Sequence, residues 1–500
     1  MSKPLDVSTP KSLPEALELI EVLTTQVQSL TTQVEHLSEQ LEESQRIIQE
    51  LQDDKRRTNS RNSSKSPSSD SPEDRKSRHS NKKPKASKRK RGAQPGHPKH
   101  ERELVDQVDE YFHIHAHPAC PCGGHGIDEP TPHRHQIFDI PPHLRAWVIE
   151  YQLHHKRCQS CGKRLWACLP SSVQSSQMGP GLLALIAELS GRYRMSVKQI
   201  QHFLGSVFTL PFSTGAISQA QGKVTQALGP IYTQVQDYAR SQEVGHADET
   251  THWRSGERRW MWVLSAGMAV FFMTHYSRGK AAAARLLGEF SGYLVTDNYS
   301  GYNDVASERR QLCWAHLIRH CIRLSEYSGE VGKVGRRLLR LARFSIHIDH
   351  RWRADPQNSA RYIALLRRCR AKWIRTLRLA VRHGGDYGSG SKRLVNQCKH
   401  LLKVEPMYWT FMQDRRVAMT NNEAERVLRG HVIWRKVGLG TWSARGDQFR
   451  ATMLSVTHSA ARLGINSYAL IRQASAQWLR GEEVDVRLPF GVQRLPEDAS

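Results

Sequence analysis

The sequence predicts an α/β protein with a long helix at its N-terminus and a small cysteine-bearing module ahead of the main fold. Three observations lead there. A seven-residue apolar repeat fills residues 12–53, and two close cysteine pairs mark residues 103–170. From Glu243 onward, short β-rich apolar runs surround a helical stretch. Five hundred residues with 38% hydrophobic content suffice for two or three folded domains, each with its own core.

The helix comes first. Ser12 followed three residues later by Glu15 is a capping-box start. Ile20, Val27, Val34, Leu41 and Ile48 make one seam, with Leu23, Leu30, Leu37, Ser44 and Leu51 three residues on. Mostly β-branched residues in the first set and leucines in the second favour a parallel two-stranded coiled coil, hence a homodimer or higher oligomer. The alternative is an amphipathic helix folded back on its own chain. Residues 54–102 then turn to Ser, Lys, Arg, Asn and Pro, a composition that builds no core and reads as a disordered basic linker.

The formal net charge of +25 points to a polyanionic partner, most simply nucleic acid. It is unevenly spread. Lys and Arg outnumber Asp and Glu by 17 to 4 in residues 55–102 and by 19 to 3 in residues 331–403, an excess of +13 and +16 that leaves the remainder near −4. Two separate basic surfaces are expected. No apolar run reaches the roughly 18 residues of a membrane span, and "MSKPLDVSTP" lacks the apolar core of a signal peptide.

In the module at 103–170, Cys120 and Cys122 would form one knuckle and Cys158 and Cys161 the other. Four thiolates suit tetrahedral Zn²⁺, which a small module of low apolar content needs in order to fold. The first pair is CxC, one residue short of the usual spacing, so His117, His125 and Cys168 are alternative ligands, and an unmetallated pair of turns is the plain alternative. Nine cysteines, four of them in these pairs, suit a reducing compartment and a cytoplasmic protein. Residues 171–240 read as short helices, "GPGLLALIAELSGRYR", "SVKQIQHFLG" and "STGAISQAQGKVTQAL", compatible with plain core or with a helix-turn-helix that brings Ser213 to Gln219 near DNA.

The chemistry starts at "EVGHAD", read as a first strand, followed by strands "RRWMWVLSA" and "AVFFMTHYS", helix "GKAAAARLLGEF" and a fourth strand "GYLVTDN". Asp248 then ends the first strand and Asp297 the fourth, and pairing of those strands would bring the two carboxylates together. Such carboxylates suit Mg²⁺ or Mn²⁺, hard ions that prefer oxygen. The third is expected from Glu425 in "MTNNEAERVLRGHVIWRK", with Glu423 as its rival on another helix face. Asn421 and Asn422 would cap that helix, and Arg426, Arg429, Arg435 and Lys436 would meet DNA phosphates.

"HADET", "VTDNYSGY", "CWAHLIRH" and "TNNEAERVLR…RK" resemble successive motifs of transposases of the insertion sequence 66 family. "NSRNSSKSPSSD", "KRGAQPGHPKH", the cysteine pairs and "ATMLSVTHSAARLGINSYALI" extend the likeness over about residues 15–475. The resemblance implies a ribonuclease-H-like catalytic core with an Asp–Asp–Glu metal site at Asp248, Asp297 and Glu425. It also implies a helical insertion at about 320–410 within a catalytic domain spanning 241–455, followed by a C-terminal helical segment, 456–500. Cys313 and His316 match a family motif and are read as structural before metal-binding.

The function expected is a DNA transposase that cuts element ends and joins the 3′-hydroxyl to target DNA, in the cytoplasm on the nucleoid, with small accessory proteins of the same element as further partners. An inactive DNA-binding derivative and a nuclease without strand transfer are the alternatives.

Overall fold

The computed structural model describes residues 12–54, 59–63, 70–71, 104–114, 124, 134–138, 140, 144–170, 173, 176–388 and 390–491. Cys120, Cys122, His117, His125 and most of the basic linker lie outside the described residues. The chain divides into two compact units, residues 1–71, 151–201 and 212–500 in one, and 72–150 with 202–211 in the other. In the smaller unit, the described part of 104–150 has no helix or strand. It is tied locally where Arg134 and Gln136 donate to the Val105 carbonyl at 2.7 and 2.6 Å.

In the larger unit, helix α1 (Leu13–Asp54) runs 42 residues, about 63 Å at 1.5 Å per residue. Its heptad seam faces solvent, with Ile20 59%, Val27 61%, Val34 61%, Leu37 62% and Leu41 59% exposed. A short hairpin follows, β1 (Lys156–Arg157) and β2 (Arg164–Leu165). Four helices come next: α2 (Pro180–Gly191), α3 (Val197–Phe208), α4 (Thr214–Ala227) and α5 (Gly229–Arg240). The Ser213 hydroxyl caps α4 by accepting from the Ala216 N–H at 3.1 Å.

The sheet comprises β3 (Val244–Arg254), β4 (Glu257–Ala266), β5 (Ala269–His275), β6 (Tyr293–Thr296) and β7 (Arg310–Leu312), in the order β5-β4-β3-β6-β7. The first three are antiparallel; β6 runs parallel to β3 and β7 parallel to β6. β3 was expected to stop at Asp248 and instead continues to Arg254. The reason is the hairpin: every residue from Gly245 to Arg254 pairs with β4, and Ser255 and Gly256 turn the chain with φ of +50° and +81°. Two successive positive φ values match the right-handed twist of the paired strands. β7 carries only three residues and was not anticipated.

Helix α6 (Lys280–Leu287) links β5 to β6. After β7 come α7 (Trp314–Ser325), α8 (Gly329–Ala354), α9 (Ser359–His383) and α10 (Ser391–Lys403). These bury a shared core around Trp314, whose ring meets Trp409 edge-on at 5.0 Å and whose Nε1 donates to the Tyr408 carbonyl at 2.6 Å. The arginines of 331–403 lie largely outside this core; Arg336, Arg340, Arg343, Arg367, Arg368, Arg375 and Arg378 are exposed. Arg353 clamps the helices to the loop at 415–417, donating to the Arg415 and Val417 carbonyls at 2.7 Å each.

The chain returns to the sheet as α11 (Asn422–Gly438), α12 (Ala444–Arg462) and α13 (Ser467–Leu479). α12 shields the open edge of the sheet, because Ser459 and Ser455 accept from the Val270 and Phe272 N–H groups of β5 at 3.0 and 2.9 Å. It also runs unbroken through residue 455, so the boundary expected between 241–455 and 456–500 falls inside a helix.

Candidate active site

Parallel pairing sets the first two carboxylates side by side. His246 is the last β3 residue in register with β6, opposite Val295. Asp248 and Asp297 each follow two residues later, Asp248 within β3 and Asp297 just past the end of β6. Side chains alternate along a strand, so His246, Asp248, Thr250 and His252 share a face. Helix α11 covers that face. His246 reaches Asn421 at 3.3 Å, Thr250 accepts from Arg435 at 3.3 Å, and the His252 and His431 rings lie 5.3 Å apart. α11 therefore runs alongside β3 with Glu425 near the level of Asp248.

Asn421 joins the two elements. It was expected to cap α11, but its side chain makes no capping hydrogen bond. Instead it is 1% exposed, its Nδ2 donates to the Ala247 carbonyl at 2.8 Å, and its backbone N–H donates to Cys313 Sγ at 3.1 Å. The pull of a buried strand carbonyl next to Asp248 outweighs the terminal turn of the helix. Burial pushes the Cys313 thiol up to about 11.

Glu423 and Glu425 part company as their helix positions require. Glu423 is consumed by charge, bonded to Arg462 and, at 3.2 Å, to Ser265, with Arg426 at 3.3 Å. Glu425 has no such partner. Its Oε1 is buried without a hydrogen bond among the described residues, and His316 Nδ1, which burial and Arg319 push toward the neutral form, lies 4.0 Å away. Glu249, on the opposite face of β3, is also neutralised: Arg278 pairs with it at 2.7 Å and the Tyr302 hydroxyl donates at 2.8 Å. Arg278 and Tyr302 escaped the sequence reading, since 29 and 53 residues separate them from Glu249 and no local pattern links them.

The electrostatics converge on Asp248. Burial first, then the charges of Glu249, Asp297 and Glu425, push its carboxyl well above the usual carboxylate range. Burial and Asp297 raise Glu249 as well. Asp297 accepts the Tyr299 N–H at 3.0 Å. Among the described residues no Lys or Arg forms an ion pair with Asp248, Asp297 or Glu425. Hard oxygen donors gathered without a cation suit a divalent ion. The tightest donor cluster among the described residues is Cys313, His316 and Glu425, with ligand atoms within 4.8 Å of one another; Asp248 and Asp297 stand outside that spacing.

Of the expected phosphate contacts, Arg429 and Lys436 are exposed and Arg426 is exposed beside Glu423. Arg435 is half-buried and bonds Thr250 and both the hydroxyl and carbonyl of Thr251. At the second cysteine pair, the Cys158 N–H donates to the Lys163 carbonyl and the Gly162 N–H returns to the Cys158 carbonyl, both at 2.9 Å. Hydrogen bonds from the Cys161 and Ser160 backbone lower the Cys158 thiol. Cys168 is exposed.

This is a mixed α/β architecture with acidic side chains gathered beside its sheet. Residues 175–448 match the Transposase IS66 family, and the chain belongs to that family. Residues 3–103 match a second family, of unknown function (DUF6444). An uncharacterized protein of Sinorhizobium fredii, y4hP, is 24% identical over 64% of this chain and 63% of its own length. A second from the same organism, y4jD, is 23% identical over 59% and 62%. The chain thus spans a little under two thirds of the relatives it matches. No described helix is long and apolar enough to cross a membrane.

Proposed function

We propose that the chain is a DNA transposase that cuts the ends of its element and joins the freed 3′-hydroxyl to target DNA. The observation that carries this is that the charges of Asp297 and Glu425 act on buried Asp248, with no Lys or Arg ion-paired to any of the three among the described residues. The strand order, three antiparallel strands followed by two parallel ones, supports a ribonuclease-H-like core.

Asp248, Asp297 and Glu425 would hold Mg²⁺ or Mn²⁺, which supplies Lewis acidity to the attacking water or 3′-hydroxyl and offsets charge on the leaving oxygen. The protein's own part is placement. Asn421 holds the Glu425 helix against the Asp248 strand, and Arg278 with Tyr302 keep Glu249 turned away from the centre. In cleavage, water attacks phosphorus and the bond to the 3′-oxygen breaks. In joining, that 3′-oxygen attacks a target phosphorus and displaces its bridging oxygen in line. Arg429 and Lys436 lie exposed on the Glu425 helix, where phosphates would follow.

The remaining parts fit the same work. The exposed seam of α1 suits pairing with a second copy, so that two active sites serve two element ends. Cys158 and Cys161 form a turn of the kind that supplies two thiolates to Zn²⁺; Cys120 and Cys122, the other expected ligands, lie outside the described residues. A DNA substrate places the protein on the nucleoid.

The test uses labelled element-end DNA with Mg²⁺ or Mn²⁺. Wild type should cut and join, and Glu425→Ala should lose both by at least about a thousandfold while still binding DNA. Cutting without joining would assign a nuclease. Joining retained in Glu425→Ala would refute the site.

A further inference from the structure

Helix α11 carries a second surface beyond the carboxylates. Glu425, Arg429, Ile433, Lys436 and Val437 recur at three- and four-residue spacing and therefore share one side of the helix. Apart from the half-buried Glu425 they are exposed, including Ile433 at 41% and Val437 at 61%. The stripe ends in the loop after the helix, where Leu439 and Trp442 are 86% and 88% exposed. The charges of the stripe are positive once Glu425 is passed.

The loop is not slack. Thr441 N–H donates to the Trp253 carbonyl and the Ser255 N–H to the Thr441 carbonyl, both at 2.8 Å, and Ser255 Oγ donates to the Trp442 carbonyl at 2.8 Å. Gly440, at φ +121°, passes so close to the β3–β4 hairpin that a Cβ there would lie 2.4 Å from the Trp253 carbonyl oxygen. Trp253 is itself 37% exposed, with the Arg258 guanidinium 5.7 Å over its ring. A tryptophan 88% exposed is thus held on a backbone fixed by hydrogen bonds, with exposed Arg258 and Arg445 on the adjoining segments.

We propose that this stripe is a track for a DNA strand leaving the active site, and that Trp442 stacks on a base of that strand. The proposal rests on the transposase reading. Cations pair with phosphates, while an aromatic face serves any base without reading its sequence. An exposed apolar tip alone would fit a second copy of the chain equally well; the cations around it favour a polyanion. The spacing is also suitable. The eleven helical steps from Glu425 to Lys436 span about 16 Å, roughly five nucleotides of strand at ~3.4 Å each. Bases there are open for stacking where the duplex is frayed or single-stranded.

The test uses the full-length protein with a fluorescein-labelled single strand of about 20 nucleotides and its blunt duplex at about 0.1 M salt. Trp442→Ala should weaken single-strand binding about tenfold and duplex binding far less, while Trp442→Phe stays within about threefold of wild type. Trp442 is exposed, so melting should not change. Single-strand binding by Trp442→Ala equal to wild type would overturn the proposal. Loss of an oligomer in sedimentation with DNA binding intact would also overturn it and assign the face to a second copy. Metal-dependent cutting by wild type, with Trp442→Ala binding normally, removes this surface alone. Loss of stacking without any cutting by wild type removes the transposase reading and leaves the surface.

Discussion

The two ends of the β3–α11 contact handle acidic side chains in opposite ways. At one end Asp248, Asp297 and Glu425 crowd together, and burial and like charge push the Asp248 carboxyl up. At the other, Asp447 is also buried, yet His252 Nε2 meets its Oδ1 at 2.7 Å, Arg254 its Oδ2 at 3.3 Å, and Thr441 donates to it. Burial would raise that carboxyl, but the hydrogen bonds of His252 and Thr441 and the charges of His252 and Arg254 hold it below the usual range. An acid that secures the fold brings its own donors. The three acids of the proposed active site have no Lys or Arg ion-paired to them among the described residues.

Glu425→Ala and Asp447→Ala break this comparison from its two sides. Glu425→Ala should end metal-dependent DNA chemistry, the largest effect, yet leave the melting temperature of metal-free protein unchanged or slightly higher, because it removes a like charge from the Asp248 cluster. A clear fall in that temperature would make Glu425 a structural acid. Asp447→Ala should destabilise the fold by about 3–5 kcal/mol, since His252 and Arg254 lose the carboxylate that pairs them. Denaturant unfolding measures it; a change under about 1 kcal/mol would mean the pairing contributes little.

The structural end of the molecule should also show in its pH response. His458 on α12 packs half-buried against Phe272, and desolvation, reinforced by Arg462, Arg194 and Arg192, lowers it to about 4. The fold thus favours the neutral ring. Its contribution is complete above the unfolded value near 6.5 and is lost as pH falls from there toward 4, about 3 kcal/mol in all. His458→Gln stays neutral and should flatten that part of the stability curve. An unchanged slope would assign the acid response to other groups, such as buried His252 and His431, which burial also lowers.

What was legible in the sequence was local. Period-two runs marked β3 to β6, the heptads marked α1, and the position of Asp297 after an apolar run placed it at a strand end. Glu425 over Glu423 followed from helix geometry. What stayed hidden depended on distant partners. β3 continues past Asp248 because β4 pairs with it and His252 is buried on Asp447, 195 residues away. Glu249 stands next to Asp248 in sequence, and only Arg278 and Tyr302 show that it belongs to the other face. The basic insertion was visible as charge, but its core of Trp314, Trp373 and Trp409 was not.

Asn421 sharpens the comparison at the finest scale, because it touches neither acidic cluster and yet sets the spacing of one. Its amide satisfies the Ala247 carbonyl, one residue from Asp248, while its backbone starts the helix that carries Glu425 four residues on. Asn421→Ala should cost about 1–3 kcal/mol, the penalty for a buried carbonyl left without a donor. Because the link also fixes strand against helix, the same change should lower the metal-dependent cutting rate while DNA affinity stays within about twofold. Asn421→Asp keeps the size but loses the donor and adds a fourth carboxylate, so it should be slower still. If Asn421→Ala loses stability alone, and the cutting rate of the folded fraction equals wild type, then the link serves folding and Glu425 is positioned by the Arg353 clamp and the Trp314–Met419 backbone hydrogen bond instead.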